Sequence, residues 1–234
     1  MNKDVIIACD FPSREETLAF LKLFGDKKPF VKIGMELFYS AGPDIVREIK
    51  DRGHGLFLDL KLHDIPNTVK RAMAVIARLG ADITNVHAAG GSAMMEAALE
   101  GLSSAPSPRP LLIAVTQLTS TDEARMRSEL LIDRPMEEAV MSYAELARSS
   151  GLDGVVCSPF EARAMHERCG ADFLAVTPGI RFEDGEKGDQ ARAASPAAAG
   201  RLGSDLIVVG RPITRAADPA AAYQKCLEDF IGGS

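Results

Sequence analysis

The stretch Asp59-Leu60-Lys61-Leu62-His63-Asp64 sets two carboxylates and an ammonium at the end of an apolar run that begins at residue 55. Strand side chains alternate in direction, so the leucines share one face while Asp59 and Lys61 lie side by side on the other. A charge in an apolar strand is costly to bury unless a partner compensates it. Taken alone, the six residues read equally well as a structural ion pair. The rest of the chain adds to them: Asp10 ends the first apolar run, Lys32 sits in the second, Gln117 and Thr119 follow the fifth, and Gly210-Arg211 closes the eighth. Acids and amines aimed from several strands into one desolvated space make a preorganised electrostatic site, able to act on charge that develops in a reactant.

A second constellation lies near the C-terminus: Pro178-Gly179-Ile180-Arg181, then Gln190, then Gly210-Arg211-Pro212-Ile213. Glycines let backbone N–H groups approach an anion, and arginine supplies a fork of donors. Any one glycine is better read as a chain turn. Together with Arg211, and placed after the last two strands, the group reads as a phosphate cradle for a phosphorylated substrate.

The elements that must carry these residues repeat eight times. Apolar runs at residues 5–10, 30–35, 55–62, 83–88, 111–118, 154–158, 173–179 and 206–211 are nearly continuous rather than alternating, as parallel strands covered on both faces are. Between them, helical periodicity predicts helices at 13–24, 43–52, 66–79, 92–102, 135–149, 159–168, 196–201 and 218–231. Ser13 and Ser195 stand as N-caps, and Pro66 and Pro196 in first turns. Eight strand–helix units in 234 residues, with no G-x-G-x-x-G turn after the first strand, favour closure into a single (β/α)8 TIM barrel spanning 1–234 over an open doubly wound sheet. Two polar loops, 119–134 and 181–194, are long enough to serve as lids.

A net charge of −6 without a basic stripe argues against a nucleic-acid surface. The first apolar run is too short to cross a membrane and lacks a signal-cleavage pattern, which predicts a cytoplasmic protein. Cys9, Cys157, Cys169 and Cys226 form no C-x-x-C pair and read as idle core thiols. His54 in a turn and His166 on a charged helix read as solvated; His63 and His87 fall near strand ends and could line the mouth, without metal-ligand spacing. Met94 and Met95 read as helix packing.

The chain resembles the orotidine 5′-monophosphate decarboxylases in their bacterial form. The similarity runs from Ala8-Cys9-Asp10-Phe11 and the stretch 30–37, through 57–68 with its full D-x-K-x-x-D signature, to the stretches 176–181 and 207–211. The resemblance implies that Lys61 donates a proton and that Asp59 faces the substrate carboxylate. It implies that Asp10 and Lys32 hold the ribose, that Thr119 contacts the pyrimidine, and that Arg181, Gln190, Gly210 and Arg211 hold the phosphate. It further implies a homodimer in which Asp64, Ile65 and Thr68 reach into the partner subunit's site, and a reaction that uses neither metal nor organic cofactor. Related barrels that act on sugar phosphates share D-x-K-x-x-D but bind magnesium through an acidic residue on strand two, where this chain has Lys32. A catalytically silent nucleotide sensor is the remaining alternative; it would be expected to have lost charges that are all present here.

Overall fold

Strands apolar on consecutive residues need cover on both faces, and the computed structural model, which describes residues 3–104, 108–182 and 193–233, supplies it by closing the sheet. Strands β1 (Asp4–Ala8), β2 (Phe30–Gly34), β3 (Leu56–Leu62), β4 (Ile83–His87), β5 (Leu111–Val115), β6 (Gly154–Val156), β7 (Leu174–Thr177) and β8 (Leu206–Val209) pair in chain order, all parallel, with β8 returning to β1. Odd and even residues then serve two cores. Ile6, Phe30, Phe57, Ile83, Ile113, Val176 and Leu206 fill the barrel interior. Val5, Ile7, Val31, Ile33, Leu56, Leu58, Leu60 and Leu112 face the surrounding helices. The molecule is a (β/α)8 barrel, as the alternation of runs predicts.

The helices are α1 (Arg14–Lys22), α2 (Met35–Ala41), α3 (Asp44–Asp51), α4 (Pro66–Ile76), α5 (Gly91–Leu102), α6 (Glu123–Ser128), α7 (Met136–Ser149), α8 (Ala162–Cys169), α9 (Pro196–Leu202), α10 (Arg211–Thr214) and α11 (Pro219–Gly232). Ser13 and Ser195 cap α1 and α9 by accepting the Glu16 and Ala198 N–H groups. All eight expected helices are present, the one at 159–168 opening with a 3₁₀ turn at Pro159–Glu161. Three more were not foreseen. α2 buries only Leu37, and α10 is a single turn, so neither carries an apolar stripe to read. α6 lies inside the loop 119–134, anchored by the fully buried Met126. No helix among the described residues is long and apolar enough to cross a membrane.

The end of the barrel where strands begin is held by a repeated device. Gly80, Gly151 and Gly203 have φ of +88°, +83° and +99°, a left-handed conformation that glycine adopts freely, and two residues after each comes an aspartate, Asp82, Asp153 and Asp205. These aspartates precede β4, β6 and β8, and their carboxylates accept the Leu56, Leu112 and Ala175 N–H groups of the preceding strand, each at 2.7 Å. Each also meets a cationic or N–H partner: Lys50, the Arg109 fork and His166 respectively. His166 is therefore engaged rather than solvated, its Nε2 donating to Gly203 O at 3.1 Å beside Asp205. At the start of β2 the device is replaced by Pro29, whose carbonyl lies 3.0 Å from Nδ1 of His54. The turn histidine expected to be solvated is in fact buried there.

All four cysteines are buried thiols outside any disulfide, and burial pushes the Cys9 and Cys226 thiols up to about 12, which leaves them unreactive. Asp153→Ala orphans both the Leu112 N–H and the Arg109 fork, and is expected to cost about 2–3 kcal/mol in urea unfolding. Arg148→Ala, which removes the exposed pair with Asp172 and the guanidinium lying over the Phe173 ring, is expected to move the urea midpoint less than Asp153→Ala does.

Candidate active site

Inward-facing positions at the carboxyl end of β2 and β3 bring the predicted charges together. Lys32 follows Phe30 on the inner face of β2, and its register opposite Phe57 sets it beside Asp59. Lys32 Nζ lies 2.9 Å from Asp10 Oδ1 and 3.3 Å from Asp59 Oδ2. Asp59 Oδ1 in turn accepts from Lys61 Nζ at 2.6 Å. The result is a continuous row, Asp10–Lys32–Asp59–Lys61, with signs alternating throughout.

Exposure divides the row. Its side chains are 62% exposed at Asp10, 11% at Lys32, 9% at Asp59 and 27% at Lys61, so the two middle charges lack water and depend on one another. Burial alone would raise the Asp59 pKa, but Lys32, then Lys61, with the hydrogen bonds from Lys61 and Asn85, hold it below the ordinary carboxylate value. Burial likewise works to lower the Lys32 pKa, and Asp59 and Asp10 outweigh it, leaving Lys32 above the ordinary lysine value. Both groups are ionised at neutral pH. Asp59 carries its stabilising contribution above about pH 4 and loses it as pH falls through its lowered pKa.

Asn85 on β4 was missed by sequence reading, which sought charges at strand ends. Its Nδ2 donates to Asp59 Oδ1 at 2.7 Å, and its Oδ1 accepts the Lys61 N–H at 2.8 Å. The available signal was an amide inside a short, otherwise mostly apolar strand, Ile83-Thr84-Asn85-Val86, on the same face as the buried Ile83. The same site contains a backbone irregularity that no pattern announced: Lys61 has φ +51°. For a lysine this left-handed conformation costs on the order of 1–2 kcal/mol, which the surrounding contacts must offset.

Beside the row opens a cleft of about 190 Å³ lined by Lys32, Asp59, Lys61, Gln117 and Thr119 over an apolar floor that includes Phe57, Val115, Val156 and Val208. β5 stops at Val115, so Gln117 and Thr119 reach the cleft from the loop and not from the strand. Pro178, at the edge of the cleft, leads to Gly179, whose φ of +86° turns the chain away from β7. The two ends of the loop after β7 are joined by hydrogen bonds from Arg181 N to Ala194 O at 3.0 Å and from Ala194 N to Gly179 O at 3.1 Å. Arg181 Nη1 donates to Ile180 O. Gly210 and Arg211 meet where β8 turns into α10. Gln190 lies outside the described residues.

Asp64, Ile65 and Thr68 do not join the row within the chain. They lie on an exposed segment, and the Asp64 carboxylate accepts the Ile65 N–H at 2.6 Å. Among the described residues no His, Cys, Asp or Glu cluster of three is arranged to hold a metal ion. Asp10 and Asp59 share Lys32, a cation that repels another.

His63 and His87 lie against each other, tilted by 37°, with ring centres 5.8 Å apart. Burial, followed by His63 and the Lys61 ammonium, lowers the His87 pKa, so His87 is neutral at pH 7. Since the unfolded state takes up this proton more readily, stability is expected to rise with pH through the window below the ordinary imidazole value of about 6.5. Titration followed by NMR is expected to place the His87 midpoint below that value, and Lys61→Ala to move it upward.

Residues 3–226 match the family model described as "Orotidine 5'-phosphate decarboxylase / HUMPS family". The orotidine 5′-phosphate decarboxylase of Bacillus caldolyticus is 59% identical over 236 residues, covering 100% of this chain and 97% of the relative. That of Geobacillus thermodenitrificans is 58% identical, covering 100% and 99%. The crystal structure of orotidine 5′-phosphate decarboxylase from Lactobacillus acidophilus superposes with a TM-score of 0.89 at 45% identity, covering 98% of this chain and 100% of that one. With Asp59 and Lys61 of its D-x-K-x-x-D stretch folded into the charge row and its whole length matched, the chain belongs to the orotidine 5′-phosphate decarboxylase family.

Proposed function

We propose that this protein converts orotidine 5′-phosphate to uridine 5′-phosphate and carbon dioxide, without a cofactor, and that Lys61 protonates the ring carbon that loses the carboxylate. The observation that carries this reading is the alternating row of Asp10, Lys32, Asp59 and Lys61 beside an apolar-floored cleft. When the carbon–carboxylate bond breaks, its electron pair stays on a ring carbon with no adjacent carbonyl to delocalise it. Fixed positive charge is the remaining means of stabilisation, and the Lys61 ammonium supplies both the charge and the proton. Asp59 holds that ammonium from one side and repels the substrate carboxylate, a repulsion relieved as neutral carbon dioxide leaves.

Asp10 and Lys32 take the ribose hydroxyls in this reading, and Thr119 the pyrimidine. Gly210, Arg211, Arg181 and Gln190 take the phosphate. The barrier to be removed is on the order of 20 kcal/mol, more than one lysine provides. A phosphate gripped far from the reacting carbon contributes binding energy that helps to assemble the site, so a substrate without it loses turnover as well as affinity. The family description also covers sugar-phosphate enzymes. Lys32, placed between the carboxylates that a divalent cation would need, favours the nucleotide reading.

We further propose a homodimer with shared sites, in which Asp64 of one subunit completes the row of the other, with Ile65 and Thr68 docking beside it. Ile65 is 66% exposed in the isolated chain, and the segment that bears it follows directly from Lys61. Lys61→Ala is expected to lower carbon dioxide release by about 10³-fold or more while leaving uridine 5′-phosphate binding measurable; an active variant removes Lys61 as proton donor. Mixing inactive Lys61→Ala and Asp64→Ala subunits is expected to restore part of the activity, since some heterodimers then contain one intact site. No recovery in heterodimers of verified composition counts against sharing.

A further inference from the structure

The pairing of β3 with β4 is broken at the residue on which the proposed chemistry depends. The register runs Leu58 to Thr84 and then Leu62 to Val86, so Asp59, Leu60 and Lys61 bulge out opposite the single residue Asn85. Within this bulge Lys61 takes its left-handed φ of +51°. Such a bend re-aims a side chain, and it persists only where neighbouring groups hold it.

Two side chains of β4 do so. Thr84 Oγ1 donates to Leu58 O at 3.2 Å, just before the bend. Asn85, fully buried, bridges the bend itself through its bonds to the Lys61 N–H and the Asp59 carboxylate. Its orientation is forced. A backbone N–H can only donate, so the amide oxygen must face Lys61 and the NH₂ must face Asp59. The reverse would set two donors and two acceptors against each other. Asn85 therefore fits an Asp59 whose Oδ1 accepts, the same oxygen that takes the Lys61 ammonium at 2.6 Å.

We infer that Asn85 is a positioning residue for the decarboxylation: by gripping the backbone N–H of Lys61 and the carboxylate of Asp59 together, it fixes where the Lys61 ammonium points. The inference rests on the proposed role of Lys61 and deepens it. Asn85 is fully buried, does not line the cleft, and is assigned no contact with the nucleotide. Loss of its amide should leave nucleotide binding intact and misplace the proton donor.

Asn85→Ala tests this with three measurements: kcat, the dissociation constant for uridine 5′-phosphate, and thermal unfolding. The expected result is a folded protein whose kcat falls on the order of 100-fold, the scale of a misplacement of about 1 Å, while product binding changes less than about threefold. A kcat within about threefold of the unaltered enzyme overturns the inference. So does a parallel loss of kcat and product binding, which marks a general structural role.

Asn85→Asp supplies a second readout that holds even if the alanine variant does not fold. The titratable and charged groups around that position are Asp59 and Lys61 of β3, Lys32 of β2, Asp10 after β1 and His87 of β4. Two carboxyls at hydrogen-bond distance share a proton, and one of them titrates well above the ordinary carboxylate range. While the proton is held, the introduced group can still donate to Asp59 and accept from the Lys61 N–H. Its kcat is therefore expected to fall as pH rises, along a limb absent from the unaltered enzyme. A profile parallel to that of the unaltered enzyme overturns the inference. Failure of the unaltered protein to turn over orotidine 5′-phosphate would instead remove the decarboxylase reading, so the two failures are distinct.

Discussion

The site depends on the desolvation of Asp59. A carboxylate 9% exposed at the mouth of an apolar barrel is tolerable only because Lys32, Lys61 and Asn85 all converge on it. Each of those partners comes from a neighbouring strand or from the bulge of its own strand, so the charge row and the barrel cannot be separated. Removing any one partner leaves a buried charge short of compensation. The same shortage gives the site its chemical potential, because the buried middle of the row, Lys32 and Asp59, exerts a field that solvent screens far less than it would at the surface.

The two ends of the barrel divide the work of stability and chemistry. Where strands begin, three aspartates tie the main chain of one strand to the next and to a nearby side chain, satisfying a backbone N–H in each case. Where strands end, the pairing is given up early. β5 and β8 stop short of their apolar runs, and β3 bulges at Lys61. The irregular end can carry a left-handed lysine and chain-turning glycines because the regular end and the two cores hold the strands in place.

This arrangement also explains why the chemistry is spread along the chain. A barrel presents one or two residues per strand at its mouth, so a row of four charges has to be drawn from several strands and loops. The exposed segment after Lys61 fits the same logic carried one step further. In the homodimer proposed above, the Asp64 carboxylate, which does not join the row of its own chain, completes the row of the second.

Much of this was legible in the linear sequence. Continuous apolar runs and their spacing determined eight parallel strands, the capping serines marked helix starts, and the alternation of Asp59 and Lys61 put both on the inner face, because strand periodicity and propensity are local properties. The D-x-K-x-x-D stretch identified the family, and with it the expected partners of each charge. Tertiary structure alone decided the rest. Asn85 looks like any strand amide until β4 lies against the bulge, and the left-handed Lys61 is a property of strand register, not of the residue. His54 and His166 gain their partners only when distant turns meet. The helices α2, α6 and α10 escape detection because they are short or bury little. Local sequence sets which elements form and which face is apolar; which buried polar groups find one another, and at what distance, is decided only when the sheet closes.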